Sequence, residues 1–123
     1  MVQVETAQLT EESINWRNTL RGYRNELTQN RVRLQQVSSR QLSRDQLRTL
    51  EHLDNQLHIQ LINIHDLKQA IKQHANTVGA EQANDSRLRD ERYAAHEQLF
   101  DEYQRLDQML DELREEFNRF LQA

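Results

Sequence analysis

The chain holds 123 residues with a net charge of −4; 36% are hydrophobic and 29% are charged. That is the length of one domain. It carries too little apolar material for a sphere but enough for a helical rod, which buries only two or three positions in seven. Cysteine is absent, which excludes disulfides, thiolate metal sites and a cysteine nucleophile.

There is no proline, and Gly22 and Gly79 are the only glycines, so long helices are unimpeded. The opening Met1-Val2-Gln3-Val4-Glu5 lacks the basic and apolar parts of a secretory signal, and no run reaches the ~18–20 apolar residues of a membrane span. The expected location is the cytoplasm, with no membrane partner.

In the first segment Leu9, Ser13, Trp16, Leu20, Tyr23, Leu27, Asn30, Leu34 and Val37 recur at alternating spacings of four and three, the heptad pattern. Thr10 before Glu11 and Glu12 offers an N-cap and acids at the positive end of the helix dipole, with Leu9 and Ile14 spaced for a hydrophobic staple. A first helix is predicted over about 11–37, followed by a turn at Ser38-Ser39-Arg40-Gln41. Ser43-Arg44-Asp45-Gln46 then matches a capping box, flanked by Leu42 and Leu47 as a staple. The second seam runs Leu50, Leu53, Leu57, Gln60, Ile64, Leu67, Ile71, His74, Val78, and Gly79 stands where a left-handed C-cap would close the helix. This predicts a helix over about 44–78. After Ala80-Glu81-Gln82-Ala83, readable as loop or frayed helix, Asn84, Asp85 and Ser86 are candidate N-caps for a third helix over about 85–121. Its seam is His96, Leu99, Tyr103, Leu106, Leu110, Leu113, Phe117, Phe120.

Residues 1–123 thus read as a single helical domain: all-α, an antiparallel up-down-up three-helix coiled-coil bundle with left-handed supercoiling. Burial along so thin a seam only about offsets the cost of ordering the chain, which leaves oligomerisation open. Counting outward from the two turns, facing residues of the first pair of helices sum to roughly 80 and of the second pair to roughly 164. Gln60 then falls beside Leu20 and Tyr103, where amide and hydroxyl could satisfy each other, and Asn30 falls opposite Leu50 and Leu113. A lone polar seam residue such as Asn30 can fix register or oligomeric state.

Charge is uneven. Residues 1–48 hold eight arginines against five acids, whereas 80–123 hold six arginines against twelve acids. The basic third is expected to pair with the acidic third inside the bundle, which disfavours nucleic acid as the partner. The alternative is a nucleic-acid accessory protein using Arg17, Arg21, Arg24, Arg31 and Arg33.

Four of the five histidines lie on the second helix. Asp54, His58 and His65 share a face there and form the one set with metal-ligand character, but their coordination shell is incomplete, so no cofactor is expected. His74 and His96 are expected to end the seam with solvent access. Ile59 and Ile62 point away from the seam and leave an apolar patch without basic flanks, which suits a protein partner or a second copy of the chain better than a membrane. No phosphate loop, nucleophile elbow or paired seam carboxylate offers a start for catalysis, so no catalytic residue is expected.

Three heptad helices with a tryptophan early in the first (Ile14-Asn15-Trp16-Arg17-Asn18-Thr19-Leu20) resemble a spectrin-type repeat in outline. With Leu50-Glu51-His52-Leu53-Asp54-Asn55-Gln56 and Glu115-Glu116-Phe117-Asn118-Arg119-Phe120-Leu121, the chain is more similar, over nearly its whole length, to small uncharacterised bacterial coiled-coil proteins. That resemblance implies no activity. The reading that remains is a non-enzymatic structural or interaction module.

Overall fold

In a computed structural model, which describes residues 2–80 and 86–122 and side chains over 7–77 and 89–122, the chain is an all-α three-helix bundle. The helices are α1 (Val2–Ser38), α2 (Arg44–Ala80) and α3 (Ser86–Gln122), each of 37 residues and so about 55 Å long at the usual rise per residue. The core follows the heptads: Leu20, Leu27, Leu34, Leu53, Leu57, Ile64, Ile71 and Leu110 are buried to 1% exposure or less.

The helix ends differ from the sequence expectation where no residue stops the helix. Thr10 is not an N-cap, since α1 begins at Val2 and Thr10 lies inside it. Nothing from Val2 to Leu9 breaks a helix, and packing reaches down to Leu9, which is buried, and Ser13, whose hydroxyl donates back to the Leu9 carbonyl at 2.8 Å. Ile14 is 48% exposed and forms no staple. Gly79 likewise lies within α2, and no described glycine has positive φ. Residues 81–85, including the Asn84 and Asp85 caps and most of the expected linker, lie outside the described residues.

The turn at 39–43 is built as the capping box requires. The Ser43 N–H donates to Gln46 Oε1 at 2.9 Å and the Gln46 N–H donates to Ser43 Oγ at 3.2 Å, although Leu47 stays 43% exposed rather than stapled. The end of α1 is closed by Ser38 and Ser39, whose hydroxyls donate to the Gln35 and Gln36 carbonyls at 2.6 and 2.7 Å.

The turn is one residue longer than the expected 38–41, and the facing layers of both helix pairs are offset from those expected. Arg31 meets Asp54, His52 meets Glu116 and His74 meets His96, so facing residues sum to about 85 and about 168–170. The expected Gln60–Tyr103 pair therefore does not form. Gln60 is buried and accepts from Asn63 Nδ2 at 3.4 Å, while Tyr103 stacks on Trp16 with centroids 5.9 Å apart. Asn30 is half-buried.

α2 packs backbone-close against both neighbours, whereas among the described residues α1 and α3 meet mainly through long side chains. Tyr23 donates to Asp107 Oδ1 at 2.5 Å, the Glu26 carboxylate accepts from Arg114 Nε at 2.7 Å, and the Arg33 guanidinium lies 5.4 Å from the Phe117 ring centre. Burial and the bond to Asp107 push the Tyr23 hydroxyl well up, and the Glu26 carboxylate does the same for Arg114.

One polar chain crosses all three helices near one end of the bundle. Glu12 Oε2 lies 2.7 Å from His96 Nε2, and His96 Nδ1 lies 3.1 Å from His74 Nε2. His96 is 6% exposed, so it does not end the seam in solvent as expected. With Glu12 ionised and His96 donating to it, His96 Nδ1 accepts from His74. Burial, then His96 and Arg92, hold His74 below its ordinary value, and the His96 hydrogen bond holds Glu12 below its own.

Two predictions follow from this geometry. Ser43→Ala should cost about 1 kcal/mol in urea denaturation, and adding Gln46→Ala should cost little more, because the two bonds depend on one turn geometry. The pH dependence has a definite sign. Unfolded His74 takes up a proton below the ordinary histidine value of 6.5 while the folded ring resists, so stability falls as pH drops through that range. The Glu12 share persists until the unfolded carboxyl protonates near 4.5 and is lost below that. Denaturation midpoints at pH 7.5, 5.5 and 4 should fall in order, with a shallower first step in His74→Gln. A parallel profile would clear His74 of any part in it.

Candidate functional site: the α1/α2 face

Flanking the seam, α1 presents Arg17, Arg21, Arg24, Thr28 and Arg31 at spacings of four and three, and α2 presents Asp54, His58, Leu61, His65, Lys68 and Lys72 at the same spacings. Adjacent helices place such stripes edge to edge, where opposite charges normally meet. Here both edges are basic. Lys68 sits among Arg21, Arg24 and Arg17, and burial followed by these three charges holds its ammonium below the usual lysine range.

Asp54 is the one acid in the two stripes, and Arg31 takes it up. Arg31 Nε donates to Asp54 Oδ1 at 3.0 Å and Nη2 to Oδ2 at 3.5 Å, while Nη1 lies 3.5 Å from His58 Nδ1. Asp54 is thereby engaged by Arg31 rather than held for a shared ligand with His58 and His65. His58 and His65 do line one groove, but a guanidinium already stands where a metal would have to bind. Among the described residues no group of three potential ligands is close enough to hold a metal.

The expected pairing of the basic third with the acidic third is also corrected. The ion pairs joining α1 to α3 use the acids of α1, Glu26 with Arg114 and Glu12 with His96. Arg17, Arg21 and Arg24 form no ion pair among the described residues. Arg33 leaves the set by turning to Phe117.

Between the basic edges runs an open groove of about 580 Å³ whose walls include Val32, Leu61 and Ile62. Val32 is 49% and Ile62 47% exposed, and Ile59, one turn before Ile62, is 38% exposed. The face therefore combines an apolar strip with cationic borders. Arg17, Arg21, Arg24 and the two isoleucines were legible as separate features. Lys68 and Val32 were not singled out, although reading the flanking stripes of two helices against each other would have found both. No described helix is long and apolar enough to cross a membrane.

Compared with protein families, curated proteins and solved structures, the chain matches none significantly. The functional reading accordingly rests on this geometry.

A like-charge edge should cost stability. Lys68→Glu is expected to raise the melting temperature at low salt, by an amount worth roughly 0.3–1 kcal/mol. The gain should shrink as salt screens the charges. An unchanged or lowered melting temperature at low salt would show that the arginines do not repel Lys68 appreciably.

Proposed function

We propose that the protein is a non-enzymatic interaction module whose α1/α2 face receives an acidic amphipathic helix of a protein partner. The observation carrying this reading is the pair of facing basic stripes, in which Arg17, Arg21, Arg24 and Lys68 form no ion pair among the described residues, beside a groove lined by the exposed Val32 and Ile62. A helix laid along the groove would bring apolar side chains to that strip and carboxylates to Arg17, Arg21, Arg24 and Lys68. Such borders steer encounter and select the partner's charge, while the apolar strip supplies affinity.

A polyanion is the second reading, favoured by the same unpaired arginines. The exposed Val32 and Ile62 on the groove walls would gain nothing from a phosphate backbone, which supports the protein partner over nucleic acid. Self-association through Ile59 and Ile62 is a special case in which the acidic α3 of another copy supplies the charge.

The test uses a labelled amphipathic peptide of glutamate and leucine, its lysine counterpart and a labelled DNA duplex, followed by fluorescence anisotropy. The acidic peptide should bind, the lysine peptide should not, and Ile62→Glu or Arg21→Glu with Arg24→Glu should weaken binding by about tenfold or more. Tighter binding to DNA, insensitive to Ile62→Glu but steeply salt-dependent, would favour the polyanion. A solution mass that rises with concentration and is lost in Ile59→Glu, Ile62→Glu would identify the chain as its own partner.

A further inference from the structure

The opposite flank of α1 carries a second, chemically distinct depression. Because α1 and α3 are bridged by long side chains, a space of about 490 Å³ opens between them beside Trp16. Trp16 is itself buried and stacks along one stripe of α3, with centroids 4.5 Å from His96 and 5.6 Å from Phe100. Tyr93 and Phe100 line the same space, and Phe100 is 40% exposed, so a large part of its ring remains open to an occupant.

Among the described residues, Glu12 and Glu97 line the space and no arginine or lysine does. The Glu12 carboxylate is fixed by His96 at Oε2 and by Gln8 at Oε1, 2.7 and 3.2 Å away, yet its side chain stays 40% exposed. Each oxygen keeps a further lone pair for an electrostatic partner. His96 points its Nε2 at Glu12, so the imidazole donor is already used.

Aromatic faces present negative charge, and a cation placed over them and near a carboxylate gains from both. A metal ion needs several oxygen or nitrogen ligands at close range, which this lining lacks. A phosphate or carboxylate would be repelled by Glu12 and Glu97. A neutral apolar molecule would fit the rings but gain nothing from the acids. We infer that the Trp16–Tyr93–Phe100 depression, bordered by Glu12 and Glu97, is a binding site for an alkylammonium group. This site is independent of the α1/α2 face, and neither proposal needs the other.

Trp16 is the only tryptophan, so its emission reports on this site directly. Tetramethylammonium chloride titrated into the full chain at constant ionic strength should change Trp16 emission saturably, with half-saturation in the millimolar range typical of so small a ligand. Saturation-transfer NMR on the methyl protons should agree. Sodium chloride and neopentyl alcohol, the neutral molecule of the same shape, should not saturate the signal in that range. Phe100→Leu keeps apolar bulk but removes the ring face and should weaken binding by about threefold to thirtyfold, with Glu97→Gln weakening it less. Circular dichroism confirms that each variant is folded. Choline and a peptide bearing trimethyllysine then separate a free metabolite-like ligand from a modified protein tail, the tighter of the two assigning the source. Equal response to neopentyl alcohol, an unchanged affinity in Phe100→Leu, or silence in both emission and saturation transfer would overturn the assignment.

Discussion

Burial of one narrow seam is the constraint on which every other feature rests. Each helix contributes apolar side chains at only two positions in seven, and among these Leu20, Leu27, Leu53, Leu57, Ile64 and Leu110 are essentially free of solvent. Because α2 lies backbone-close to both neighbours, its seam residues are shared between two interfaces, and the register of each interface is set by the same side chains. Flanking residues meet whatever that register brings opposite them. Arg31 finds Asp54 and Glu26 finds Arg114, while Lys68 finds only arginines.

The size of the terms explains why an unfavourable edge is tolerated. A buried leucine stabilises by roughly 1.5–3 kcal/mol, whereas an exposed charge pair is worth roughly 0–1 kcal/mol of either sign. A stripe of like charges along α1 and α2 therefore cannot displace the register that the leucines impose. It also leaves those charges without internal partners. A local rule is broken on one edge only, and such departures concentrate where a protein contacts something else. The α1/α3 edge obeys the rule, with carboxylates of α1 matched to Arg114 and His96.

Fold class and helix order were legible in the heptads, because a period of three and a half residues admits few other structures. The capping box at Ser43 and Gln46 was legible because its two bonds are local. The start of α1 was not. Thr10 has the chemistry of a cap, but a cap matters only where the chain needs a stop, and the segment from Val2 to Leu9 has no reason to leave the helix. The layer pairing failed because counting outward from a turn fixes facing residues only to within about one helical turn, and the observed pairs are offset by that much. Gln60 and Tyr103 consequently part company, and His74 and His96 meet. Asp54, His58 and His65 share a face as periodicity requires, but periodicity within α2 says nothing of the guanidinium that α1 sends across to them.

Taken along its length, α1 divides the chemistry of the whole surface. One edge carries Arg17, Arg21, Arg24 and Arg31 toward α2, and the other carries Glu12, Trp16 and Glu26 toward α3. A single helix cannot serve both edges with one charge, and its net composition conceals the division. The basic character of the first third, read as a bulk property, suggested neutralisation by the acidic third. Position decides otherwise: Glu12 and Glu26 face α3 while Arg17, Arg21, Arg24 and Arg31 lie toward α2, so the ion pairs that join α1 to α3 come from the minority charge of each helix. The majority charges make other contacts: Arg31 takes up Asp54, Arg33 lies over Phe117, and Asp107 accepts from Tyr23. The bundle is thereby left with one cationic and one anionic depression on opposite sides of the same helix, and each can select an occupant of opposite sign.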